Sequence, residues 1–104
     1  MKREYDKLVR DRIPEIIERS GKRAVCRTLS EEEYLLMLDR KLDEELAEYR
    51  DGHSMEELAD LLEVIYAEAS ARGFALNEIE RIRLQKKAER GAFEKRLLLK
   101  SVED

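Results

Sequence analysis

Residues 42–62 read LDEELAEYRDGHSMEELADLL. They describe the end of one helix, a tight connection at residues 50–53, and the start of a second helix. A connection so short makes the two helices antiparallel neighbours. Carboxylates recur at Glu45, Glu48, Glu57 and Asp60, and residues three apart share one face of a helix. Counted outward from the turn, Glu48 lies about as far before it as Glu57 lies after it, and Glu45 and Asp60 match one turn further out. A rise of about 1.5 Å per residue sets the two levels roughly 4.5 Å apart. If the two faces meet, four carboxylates converge on a small volume, where like charges need neutralising. A hard divalent cation with oxygen ligands, Mg²⁺ or Mn²⁺, suits such a donor set.

Outward from this stretch the chain reads as helices. Ser30-Glu31-Glu32-Glu33 is a capping box, and the helix it opens is expected to run to about Asp51, with an apolar stripe of Leu35, Leu38, Leu42, Leu46 and Tyr49. Gly52 is expected to end it. Ser54-Met55-Glu56-Glu57 is a second capping box, opening a helix to about Arg72. Glu57 then stands in a first turn, where the helix dipole favours an anion whatever else the residue does. From Leu58 to Ala71 that helix is apolar on most sides, which predicts a buried helix. Asp60 inside it asks for a partner, either a cation or a basic side chain. A third long helix is expected from Leu76 to Arg90, stopped by Gly91, and the leucines of the tail are expected to dock on a neighbour. Before the first capping box, Pro14 favours a short helix at about 14–20 with Ile16 and Ile17 buried. Residues 22–29, KRAVCRTL, look extended, as a single short strand or an arm, with no partner strand in view.

Composition bounds the function classes. The chain has 104 residues, enough for one small domain spanning 1–104, with 44% charged and 42% hydrophobic residues. A core this thin, with helices apolar on two faces, points to completion by a second copy. A net charge of −4 argues against a general binder of nucleic-acid polymers. No stretch approaches a membrane span, no secretory h-region is evident, and the single Cys26 fits a reducing compartment, so a cytoplasmic location is expected. Cys26 itself reads as a small buried apolar residue, and His53 as a surface turn residue. Tyr49 and Tyr66 fall on apolar stripes and read as core.

With 18 glutamates in the chain, a lone Glu-x-x-Glu pair carries little weight, and Glu15/Glu18 reads as such a pair on a solvated face. The joint pattern weighs more: Glu44-Glu45-x-x-Glu48, a short turn, then Glu57-x-x-Asp60. Periodicity alone leaves two readings of it, a metal site and a solvated acidic face.

The pattern EELAE…EELAD resembles the signature of the all-α nucleoside triphosphate pyrophosphatase superfamily, which includes the MazG-like proteins and phosphoribosyl-ATP pyrophosphohydrolase. The opening YDKLVRDRIPEII and the closing KKAERGAFEKRLLL are similar to the phosphoribosyl-ATP pyrophosphohydrolase-like branch, so the likeness covers almost the whole chain. The connection from Glu48 to Glu57 is shorter than is usual in MazG-like members. The resemblance implies an all-α antiparallel bundle of about four helices, completed as a homodimer or dimer of dimers. It also implies Mg²⁺ dependence, with Mn²⁺ as a substitute, and cleavage between the α and β phosphates to a nucleoside monophosphate and pyrophosphate. By motif position it makes Glu45, Glu48, Glu57 and Asp60 the metal ligands, with Glu44 as a further ligand or a base acting on water. Basic residues must then meet the outer phosphates, and the candidates are Lys7, Arg10 and Arg12 from the first block and Lys86, Lys87 and Arg90 from the last. For Lys86, Lys87 and Arg90 the helix dipole at a C-terminus is a sufficient alternative reason. Two other functions fit the same residues: phosphoribosyl-ATP hydrolysis in histidine biosynthesis, and a non-catalytic helical module that dimerises or regulates a partner.

Overall fold

The computed structural model describes residues 2–104 and contains four α-helices: α1 (Ile13–Arg19), α2 (Glu31–Gly52), α3 (Met55–Ala71) and α4 (Leu76–Arg90). No strand occurs among the described residues. The chain divides into two compact units, Met1–Gly73 and Phe74–Asp104.

The first unit is built on a helical hairpin. Both capping boxes form as the sequence predicts. Ser30 Oγ accepts from the Glu33 amide at 3.2 Å while the Glu33 carboxylate accepts from the Ser30 amide at 3.1 Å. Ser54 Oγ likewise accepts from the Glu57 amide at 3.1 Å, and Glu57 Oε1 accepts from the Ser54 amide at 3.3 Å and its hydroxyl at 2.9 Å. Each box satisfies amides that the first turn of a helix leaves without partners. Two residues, His53 and Ser54, separate α2 from α3, and the two helices pack on each other. Far from the turn, Arg72 reaches back to Asp39 at 3.1 Å, which fixes the antiparallel sense.

The predicted stripe of α2 faces this packing: Leu38 is buried, and Leu35, Leu42, Leu46 and Tyr49 are half-buried. From α3, Val64 is buried and Leu61, Ala67 and Ala71 are half-buried at helical spacing. The other side of α3 is not covered. Met55, Leu58, Leu62, Ile65 and Tyr66 stay exposed within the chain. The expectation of a helix buried all round, with Tyr66 in the core, is therefore corrected. Within the first unit α3 packs on α2, and one neighbour covers one face.

The turn differs from expectation in a second way. The helix does not stop at Gly52. It runs through that residue, and His53 takes the left-handed C-cap conformation at φ 53°, its amide donating to the Tyr49 carbonyl at 2.7 Å. The Glu57 carboxylate fills the space beside Gly52, where a Cβ would stand 2.8 Å from its Cδ.

Around the hairpin, α1 begins with Pro14 in its first turn and is closed by Ser20, whose hydroxyl donates to the Ile17 carbonyl at 2.6 Å. Ile17 is half-buried, but Ile16 is exposed, contrary to the expectation for that residue. Residues 22–29 form neither strand nor helix, since an isolated strand leaves its backbone groups unpaired. Arg27 ties the segment to α2 through a two-nitrogen pair with Glu33 at 3.0 and 2.7 Å. Cys26 lies exposed on it rather than buried.

In the second unit, α4 lacks a side-chain cap and is exposed throughout. Short-range ion pairs decorate it, Glu78 with Arg81 at 3.0 Å and Glu80 with Arg83. Gly91, at φ 85°, ends it, and Phe93, Leu97, Leu98, Leu99 and Val102 of the tail are exposed. No helix is long and apolar enough to cross a membrane.

Candidate functional site

The acids singled out by the sequence lie at the turn end of the hairpin. On α2, Glu45 belongs to the packed stripe, one helical step from Leu42 and Tyr49, and is only 7% exposed. A carboxylate so far from water is costly unless it is paired. Its Oε1 has Lys41 Nζ at 3.4 Å, whereas its Oε2 is buried without a hydrogen-bond partner. Burial pushes the Glu45 carboxyl above its ordinary value; the neighbouring Glu48 carboxylate adds to this and Lys41 opposes it. Glu48 is exposed beside it. Glu44 lies on the flank of the stripe, between Lys41 at 3.3 Å and Lys7 at 3.4 Å.

On α3, Glu57 and Asp60 begin the packed face that continues through Leu61 and Val64, and both are half-buried. Glu57 gives one carboxylate oxygen to the second capping box. Asp60 accepts from the Arg10 guanidinium at 2.7 Å, with its side chain 41% exposed. Of the two partners expected for Asp60, the structure shows the basic side chain. Its surroundings are also more open than the sequence implies, because the outer face of α3 is uncovered.

The structure therefore brings the acids to one end of one hairpin, with Glu45 and Glu48 adjacent, and pairs Glu44, Glu45 and Asp60 with basic side chains. Among the described residues, no three His, Cys, Asp or Glu side chains are gathered closely enough to hold an ion. Carboxylates repel one another, and nearby basic groups offset them: Lys41 for Glu44 and Glu45, Lys7 for Glu44, Arg10 for Asp60.

Of the basic candidates, Lys7 and Arg10 reach this acidic end. Arg12 instead pairs with Glu15 at 3.3 Å, so Glu15 belongs to a local pair on α1, as its solvated-face reading implies. Lys86 and Arg90 lie exposed on α4 in the second unit, with no ion pair among the described residues. His53 caps α2 and meets Tyr49 edge to face, ring centroids 5.1 Å apart.

Two residues escaped the sequence reading. Lys41, 15% exposed, bridges Glu44 and Glu45. Its spacing of three and four residues from them was a visible signal. Glu68 is the other: its Oε2 pairs with Arg72 at 2.8 Å and its Oε1 is buried without a partner. It lies far from the turn, and only the packing of α2 on α3 distinguishes it from other glutamates.

The donors are carboxylate oxygens, the kind a hard divalent ion takes, but they do not converge on one point. All five acids offer oxygens, Glu45 holds one oxygen ready behind the surface, and three basic groups supply the positive charge that the acids now use.

No protein-family model matches the chain, and no solved structure matches it. Over 43 residues the chain is 65% identical to an uncharacterized protein of Mycolicibacterium smegmatis, a match that takes in 41% of this chain and 44% of that relative. The chain thus spans less than half the length of the curated relative it matches.

Proposed function

We propose that the chain is a Mg²⁺-dependent nucleoside triphosphate pyrophosphohydrolase. It splits the bond between the α and β phosphates, releasing a nucleoside monophosphate and pyrophosphate, and serves to clear surplus or non-standard nucleotides. The observation that carries this reading is Glu45: a carboxylate on the packed face of α2, one oxygen unpartnered, with Glu44 and Glu48 near it on α2 and Glu57 and Asp60 near the start of α3, which packs on α2. A hairpin needs no buried acid there for stability, since an apolar residue of similar size packs as well or better.

In this reading Glu45, Glu48, Glu57 and Asp60 hold the ion, and Glu44 orients or deprotonates the attacking water. When bound, Mg²⁺ offsets the charge of the triphosphate and acidifies water. Lys7 and Arg10, already at the acidic end, bind the outer phosphates, where a guanidinium makes strong charge-assisted hydrogen bonds. The exposed outer face of α3, from Met55 to Tyr66, is where a second copy completes the bundle.

The test is release of pyrophosphate and monophosphate from a panel of nucleoside triphosphates and phosphoribosyl-ATP, with Mg²⁺ and with chelator. Turnover that needs Mg²⁺ supports the reading, and turnover confined to phosphoribosyl-ATP reassigns it to histidine biosynthesis. A second reading has its own observation. Asp60 is already satisfied by Arg10, as in a helical interaction module held by surface ion pairs. Absence of turnover on every substrate, together with no heat of Mn²⁺ binding, decides for that module.

A further inference from the structure

The open face of α3 carries charge as well as apolar surface. Met55, Leu58, Leu62, Ile65 and Tyr66 make up its apolar row. Glu56 and Glu63, two helical turns apart on one flank of that row, are exposed and have no ion pair among the described residues. Helix α4 has the opposite pattern. Leu76, Ile79 and Ile82, then Lys86 and Arg90, recur every three or four residues and so share one face. All five are exposed, and the two cations have no ion pair among the described residues. We propose that α4 of a second copy lies antiparallel on the open face of α3, each copy receiving the other's α4 in return. This rests on the dimer of the reading above and names the part of the second copy that seats there.

A helix of 15 residues is marginal in water until an apolar face is packed, and α4 has no side-chain cap at its start to help it. Charge selects what packs there. Residues 31–72 hold 14 acidic and 4 basic side chains, whereas residues 81–100 hold 8 basic and 2 acidic ones. One chain thus bears both halves of a complementary pair, and a copy of that chain supplies the missing half to each. In an antiparallel docking the cationic end of α4 falls beside Glu56 and Glu63, and its apolar end falls beside Ile65 and Tyr66. A parallel docking would set Lys86 and Arg90 against apolar residues beyond the acids. Antiparallel helices also bring opposite dipole ends together. Packing α3 on α3 would instead gather the exposed glutamates of both copies at one interface, where like charges oppose association. A two-fold pair uses both faces of both chains, so the exchange closes on itself.

The experiment is sedimentation equilibrium of the full chain and of two charge-reversed variants, each alone and the two mixed. E56K/E63K sets cations on α3 against those of α4, and K86E/R90E sets acids on α4 against those of α3. Each variant alone is expected to dissociate about tenfold more readily than the parent, since exposed pairs of small individual worth are reversed at two contacts per dimer. The equimolar mixture is expected to regain the parent's affinity, because both contacts of the mixed pair then join opposite charges. The neutral variants E56Q/E63Q and K86Q/R90Q, each expected to weaken the dimer by a smaller factor, decide if a reversed variant does not fold. K86E/R90E pairing as tightly as the parent, or a mixture no tighter than its components, overturns the exchange of α4 and leaves the dimer standing. A parent that stays a single chain overturns both the exchange and the dimer, while the hydrolase reading keeps its own test in pyrophosphate release.

Discussion

Glu45 sits in a stripe otherwise made of Leu38, Leu42 and Tyr49, with Lys41 on one oxygen and no donor on the other. Its folded environment favours the protonated form, so the charged form costs stability near neutral pH. Glu45→Gln is expected to raise stability by on the order of 1 kcal/mol in chelating buffer, read as a shift in the urea midpoint, while abolishing Mn²⁺ binding. A fall in stability instead means that the Lys41 bridge outweighs burial and the Glu48 charge. Glu33 is the opposite case. Its hydrogen bond from Arg27, followed by that from the Ser30 amide, holds it down to about 2. A depressed carboxylate stabilises the fold above its unfolded value, and this contribution is lost as pH falls through the folded one. The stability gap between the parent and Glu33→Gln is therefore expected to be complete above about pH 5 and to close toward pH 2. Salt should shrink the Arg27 part of the gap, because both side chains are exposed.

At the scale of elements, both capping boxes and the α2 stripe were legible because each depends on neighbours within one helical turn. The turn itself was read with the wrong residue in the decisive role. Glycine commonly supplies the left-handed conformation after a helix, but here His53 supplies it, and Gly52 makes room for the Glu57 carboxylate. That exchange reverses a routine expectation. Gly→Ala within a helix ordinarily gains up to about 1 kcal/mol. Gly52→Ala is expected to lose on the order of 1 kcal/mol instead, by evicting Glu57 from its capping box. A thermal melt gives the sign directly. A higher melting temperature means Glu57 can move aside at no cost.

Over the whole molecule, the α3 face left open by α2 is apolar from Met55 through Leu58, Leu62, Ile65 and Tyr66. Faces of this kind mark association surfaces. Sedimentation equilibrium is expected to give at least twice the mass of one chain, and Leu62→Arg to return the mass of one. A parent that sediments as a single chain removes the dimer from the proposal. The amino-acid sequence by itself determined that the chain is helical, where the three long helices begin, and that five acids lie within a few turns of one connection, since all of these follow from spacing along a single chain. Tertiary structure alone decided that Glu45 is the buried acid, that Arg10 and Lys7 are the groups that meet Asp60 and Glu44, and that half of α3 stays open. Burial and ion pairing depend on what lies across from a side chain, and spacing does not encode which residue 50 positions away comes to face it.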